Sequence, residues 1–240
     1  MLRPLFHISV VAINSFVLCY DQLYIDLPMP NKAAEELPFK SRSMFLTIWC
    51  LILQTVYHFI AFLNDIAGSN APSPKRPPII RRIKEILFTL SFCVAIYVSI
   101  TFWSIYAIDK ELIFPEHIAK LYHPSFNHVM HSTVSLFIII ELLTSYINYP
   151  SRKIGLSVLY TFLLSYVAWF FTVYAKTDAW VYPIFAHLNW PARILFISIS
   201  LLVGAVFYIL GEKLNSLVSP SPKESYANGN SSSKGKKKRS

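Results

Sequence analysis

The sequence predicts an all-α, polytopic membrane protein: a bundle of six transmembrane helices with both termini in the cytosol. Three observations carry that prediction. Of 240 residues, 54% are hydrophobic and only 15% charged, against about 25% charged in a soluble domain. Several stretches reach, or nearly reach, the roughly 20 apolar residues needed to cross a bilayer. The lysines and arginines between them are biased toward one side.

The spans are expected near residues 5–24, 44–63, 86–108, 126–147, 154–175 and 190–210. The first is short and interrupted by Asn14 and Asp21. Arg3 precedes it, as in a secretory signal. Its end, "SFVLCYDQ", is too bulky for a cleavage site, so an uncleaved helix is expected. The second span carries only Gln54 and His58 as strongly polar groups. The third and fifth contain no charged residue. The fourth carries Glu141 and the sixth Arg193.

A cytosolic N-terminus places Arg3, Lys75, Arg76, Arg81, Arg82, Lys84, Arg152, Lys153 and a basic tail on the cytosolic side. The other side holds Lys32, Lys40, Arg42, Lys110, Lys120 and Lys176, offset by seven carboxylates. The formal charge of +9 is therefore mainly topology signal and tail. Its counterpart is anionic lipid rather than nucleic acid. Cys19, Cys50 and Cys93 fall inside spans, which argues against a disulfide framework.

Residues 1–215 should form the membrane domain, and residues 216–240 a disordered, basic cytosolic tail. The tail ends Lys237-Lys238-Arg239-Ser240. That pattern resembles a di-lysine retrieval signal and puts the endoplasmic reticulum ahead of the plasma membrane. A polybasic, lipid-held patch is the alternative. Asn230-Ser231-Ser232 matches a glycosylation acceptor, but a cytosolic tail would leave it unused.

Intramembrane polar groups are costly in lipid, so their helical phase matters. At about 100° per residue, Gln54, His58 and Asp65 all fall within about 20° of Thr47. In the fourth span Asn127, His128, Ser135, Glu141 and Ser145 fall within about 80° of His131. Both stripes should face the bundle interior. Thr47 lies roughly 5 Å, and His131 roughly 8 Å, inside the same side of the membrane. A hydroxyl and an imidazole at one depth suit an activated nucleophile with its base. Asn127 and Glu141 are both candidates to orient the base. Satisfied packing groups in a non-catalytic lipid-binding or transport protein explain the same stripes, and both readings stay open at this level.

A metal reading is weaker. His128 and His131 lie one turn apart, but there is no His-Glu-x-x-His run and no CxxC. No metal and no cofactor are expected. A haem held between His58 and a fourth-span histidine is the remaining alternative.

The runs "NHVMHST", "IELLTSYINYPSR", "WVYPIFAHL", "ARILF" and "YILGEKLNS" resemble the androgen-induced gene 1 family, which includes the androgen-dependent TFPI-regulating protein. The resemblance spans roughly Pro4 to Ser216. It implies a six-span membrane threonine hydrolase that acts on fatty acid esters of hydroxy fatty acids. Substrate would enter from the bilayer. The family's threonine, in a Leu-Thr context, falls on Thr47 in "FLTIWCLILQ". Its histidine, the second of Asn-His-x-Met-His, falls on His131. Asn127, His128, Gln54, His58, Ser135 and Glu141 remain as supporting or pocket-lining candidates. No protein partner is implied.

Overall fold

The computed structural model describes residues 2–71 and 76–218. The tail beyond 218, its Lys-Lys-Arg-Ser end, and residues 72–75 of the proline-rich connection lie outside the described residues. The described residues form helices and turns with no strand. Six helices are long and apolar enough to cross a membrane: α1 (Leu2–Tyr24), α2 (Leu46–Ala67), α3 (Ile79–Ile108), α4 (Pro124–Thr144), α5 (Arg152–Thr177) and α6 (Trp190–Val218). The chain is a multi-pass integral membrane protein.

Two boundaries differ most from those read off hydropathy. The last helix continues to Val218, past residue 210. α3 starts at Ile79 rather than 86, after a Pro-Pro pair that ends at the N-cap Pro78 and suits a helix start. Its first turns therefore include Arg81, Lys84 and Glu85, and all three are buried. Arg81 Nε lies 2.8 Å from Glu85 Oε1, and Lys84 Nζ lies 2.9 Å from Glu141 Oε1. The charges that sequence placed in a cytosolic loop are thus paired inside the bundle. Pairing removes the cost that made hydropathy exclude them.

α3 is the central helix. It packs against α2, α4, α5 and α6, while α1 packs chiefly against α2. Phe88, Phe92, Ala95 and Val98 of α3 are buried, whereas Ile194, Leu195, Ile199 and Leu202 of α6 are exposed. Those outer residues are apolar, as a lipid-facing surface requires. At Gly211 of α6 a Cβ would meet the Tyr149 hydroxyl first and would lie 2.8 Å from Phe92 Cδ1 of α3. Small residues let membrane helices approach in this way.

The segments 25–45, 109–123 and 178–189 gather at one end of the bundle and position the start of α2. Arg42 is buried there. Its Nε donates to Asp21 Oδ2 at 2.8 Å, and its remaining groups reach the carbonyls of Asp21, Ile25 and Lys40. Tyr122 donates its hydroxyl to the other Asp21 oxygen at 2.5 Å. Burial and the adjacent Asp21 charge raise the Tyr122 phenol well above its ordinary range, so it remains a donor. Phe39, Lys40 and Ser41 all have positive φ, at 55°, 46° and 70°. None is glycine, and such a conformation costs roughly 1–2 kcal/mol per residue. The Arg42 bonds offset that strain and fix the turn entering α2.

Candidate functional site

Thr47 is the second residue of α2, and His131 lies in the first half of α4. Residues Val129–Thr133 form a π-helical turn, a widened turn that is frequent at functional positions. The turn carries His131, which is 6% exposed, toward α2. Thr47 Oγ1 and His131 Nε2 are 3.1 Å apart.

The imidazole is held from three sides. Its Nδ1 lies 2.8 Å from Asn127 Oδ1 and 3.1 Å from the Asn127 carbonyl oxygen. A carbonyl oxygen can only accept, so Nδ1 carries the proton of the neutral ring. Nε2 then presents its lone pair to Thr47, which donates its hydroxyl. The Phe102 ring stacks on His131 with centroids 3.6 Å apart and planes 11° from parallel. The result is a hydroxyl, a base and an orienting amide in series, the order needed to activate a weak nucleophile.

Thr47, Phe102 and Ile113 line two cavities. The outer, of about 480 Å³, lies under the loop segments and includes Met29, Phe45, Met130, His131 and Val181. The inner, of about 120 Å³, runs between α3, α5 and α6 past Val98, Ile105, Leu163 and Phe196. Both walls are largely apolar. Thr47 therefore stands where two hydrophobic arms of a ligand can meet.

Hydroxyls gather beside Thr47. The Leu46 N–H donates to Tyr182 Oη at 2.9 Å and to Tyr166 Oη at 3.1 Å. Tyr166 donates to the Met44 carbonyl at 2.9 Å. Burial pushes the Tyr182 phenol up to about 12, so it stays protonated.

The other polar residues named from sequence divide between different places. Gln54 Nε2 donates to the Ser91 carbonyl at 2.9 Å and ties α2 to α3. His58 turns away from the fourth-span histidines. Its Nδ1 lies 3.0 Å from His7 Nδ1 on α1, a direct hydrogen bond. Glu141 accepts from Tyr57 at 2.8 Å and pairs with Lys84, and His7 Nε2 lies 3.5 Å from both Glu141 Oε2 and Asp65 Oδ2. This second buried cluster sits about 16 Å along α2 from Thr47, at 1.5 Å per residue over the 11 residues to His58. Of the two candidates to orient His131, Asn127 touches it, and Glu141 belongs to the distant cluster. Ser135 bonds back to the Ser132 carbonyl at 2.9 Å. His128 is exposed, bonds Ser132 Oγ at 3.2 Å and stacks on Trp103. Neither Ser135 nor His128 reaches Thr47.

Several groups were not read from sequence. Phe102, Tyr166 and Tyr182 are aromatic residues in an aromatic-rich chain, with no distinguishing spacing. His7 had a signal. With Asn14 and Asp21 it repeats every seven residues along α1, and all three are buried. Asn14 and Asp21 interrupt the apolar run of the first span, and hydropathy alone does not register their common spacing with His7.

The comparisons agree with this architecture. The FAR-17a/AIG1-like protein family model matches residues 2–216. The chain is 35% identical over 181 residues to the androgen-induced gene 1 protein of Homo sapiens, covering 72% of this chain and 76% of that one. It is 32% identical over 213 residues to the androgen-dependent TFPI-regulating protein of Rattus norvegicus, covering 86% and 92%. A UPF0641 membrane protein of Schizosaccharomyces pombe is 24% identical over 186 residues, covering 76% and 79%. No solved structure matches the chain. With six spans in place and nearly the whole membrane domain matched, the chain belongs to the FAR-17a/AIG1-like protein family.

Proposed function

We propose that this protein is a membrane-embedded lipid ester hydrolase that cleaves fatty acid esters of hydroxy fatty acids. Thr47 is the nucleophile and His131 the base. The observation that carries the reading is the 3.1 Å contact between Thr47 Oγ1 and His131 Nε2, with the ring tautomer set by Asn127. The two apolar cavities meeting at Thr47 suit an ester with an acyl chain on either side of its carbonyl. Such a substrate enters from the bilayer.

In this mechanism Thr47 Oγ1 attacks the ester carbonyl while His131 Nε2 takes the hydroxyl proton. The tetrahedral adduct collapses as the bond to the hydroxy acid's oxygen breaks, and His131 returns the proton to that leaving oxygen. An acyl-threonine remains. Water, deprotonated by His131, then releases the fatty acid and restores the Thr47 hydroxyl. No cofactor takes part.

A fluorophosphonate bearing a long alkyl chain tests the assignment. Mass spectrometry should find the phosphonyl adduct on Thr47, and its formation should fail in His131→Ala. Modification at another residue, with Thr47 free, would refute the nucleophile. A non-catalytic lipid carrier is the second reading. The observation that favours it is the buried His7–His58–Asp65–Glu141–Lys84 cluster, which the hydrolytic steps do not use. Purified protein that binds the ester lipid stoichiometrically without turnover would establish that reading instead.

A further inference from the structure

Ester attack moves negative charge onto the carbonyl oxygen, and a buried site must supply donors aimed at that charge. The dyad supplies none, since His131 Nε2 is engaged with the hydroxyl proton. The run "WVYPIFAHL" also has no role in the dyad, although it borders Thr47. The two gaps meet at Tyr182.

Of the two phenols at the start of α2, Tyr182 is the less firmly engaged, because its hydrogen is held by another phenol rather than by a carbonyl. Tyr166 has a single hydroxyl hydrogen, and the Met44 carbonyl accepts it at 2.9 Å. The Leu46 N–H is shared between the two phenol oxygens. Only the Tyr182 hydrogen has no carbonyl to bond. It donates to Tyr166 Oη at 3.2 Å, the longest bond of the group, and can exchange that partner for a developing oxyanion. Tyr182 lines the inner cavity beside Leu46 and Thr47. Among the described residues, the Thr47 N–H has no hydrogen-bond partner. The N-cap Phe45 offers no side-chain acceptor.

The segment that holds Tyr182 is rigid. Pro183 opens the short helix Pro183–His187. Trp180 stacks on Tyr174 with centroids 3.8 Å apart. The Arg193 guanidinium covers Trp180 at 4.4 Å, and its Nε donates to the Phe185 carbonyl at 2.9 Å. A donor fixed before the reaction loses no free energy to reorganisation when charge develops.

We infer that Tyr182 is a catalytic residue: its hydroxyl, together with the Thr47 backbone N–H, forms the oxyanion hole of the Thr47–His131 site. This rests on the hydrolase reading above. When Thr47 Oγ1 bonds to the carbonyl carbon, the carbonyl π electrons move onto oxygen, and that oxyanion accepts from Tyr182 O–H and Thr47 N–H. When the carbonyl re-forms, both donors keep their hydrogens, so no proton is consumed. The nucleophile's own N–H plays the same part in serine hydrolases.

The test uses purified full-length protein in detergent, with p-nitrophenyl decanoate as substrate. Two inhibitors are compared, a decyl trifluoromethyl ketone and the matching decyl methyl ketone. The fluoroketone adds Thr47 Oγ1 and carries an oxyanion; the methyl ketone binds as ground state. Tyr182→Phe should lower kcat about 100-fold with KM changed less than about twofold. It should weaken the fluoroketone by a similar factor and the methyl ketone by less than about twofold. Incorporating 3-fluorotyrosine at position 182 retains the ring and a more acidic hydroxyl, and should restore kcat to within about threefold of wild type. If Tyr182→Phe fails to fold, the pH profile of the fluorotyrosine variant decides: a donating phenol makes kcat fall at a lower pH than in wild type, where the more acidic hydroxyl loses its proton, and an unshifted profile would refute the role. Equal weakening of both ketones, or wild-type kcat in Tyr182→Phe beside an inactive Thr47→Ala, would reduce Tyr182 to a wall residue. Full activity in Thr47→Ala would instead overturn the hydrolase reading itself.

Discussion

Asn127 decides how His131 behaves, because it supplies two acceptors to one ring nitrogen. Asn127→Ala removes the side-chain oxygen at 2.8 Å and keeps the carbonyl at 3.1 Å. The expected outcome is a kcat lower by about 10- to 100-fold with KM nearly unchanged. That is less than the roughly 10⁴-fold cost of losing the orienting carboxylate in a serine triad, because one acceptor survives. Steady-state ester hydrolysis measures it, and a loss confined to KM would contradict it. The similar depth and inward phase of Thr47 and His131 were legible in sequence because both follow from simple helix geometry; their contact was not, since geometry of single helices does not say which helices touch. Nor was the choice between Asn127 and Glu141. It depends on Lys84, which hydropathy put in a loop. Once Lys84 and Tyr57 are seen to hold Glu141, only Asn127 remains on His131.

Helix positions were legible from hydropathy, whereas their polar joints were not. A 20-residue average scores a buried ion pair as two interruptions and cannot see that the charges cancel. The Lys84–Glu141 pair joins α3 to α4, and both side chains are buried. Lys84→Met strands the carboxylate, and breaking a buried pair in this way costs about 3–5 kcal/mol. The double variant Lys84→Met with Glu141→Gln should recover most of that loss, as read by thermal unfolding in detergent. Additive losses would show that the pair is not coupled. The π-helical turn was equally hidden, because phase counting assumes uniform turns. It is the turn that carries His131. On α6, Gly211→Ala presses a methyl toward the buried Phe92 ring. It should destabilise by about 1–3 kcal/mol, seen as a lower unfolding temperature with the Thr47–His131 chemistry intact in the protein that stays folded.

The bundle as a whole separates two polar centres along α2. Thr47 faces His131 at the loop-rich end, and His58 and Asp65 meet His7 and Glu141 at the other. The narrow stripe read from sequence is one line of residues serving both. Six spans also require both termini on one side of the membrane. Tags at the two ends should share a protease-sensitive, cytosolic exposure in sealed microsomes; protection of both tags would overturn the orientation, and protection of one alone the even number of spans.

The central claim is that Thr47 and His131 together hydrolyse an ester within this bundle. The most direct measurement is turnover of a fatty acid ester of a hydroxy fatty acid by purified wild type beside Thr47→Ala and His131→Ala. Wild type should release free fatty acid and hydroxy fatty acid in equal amounts, and each variant should insert and fold yet release neither. Wild-type rates in either variant would contradict the claim.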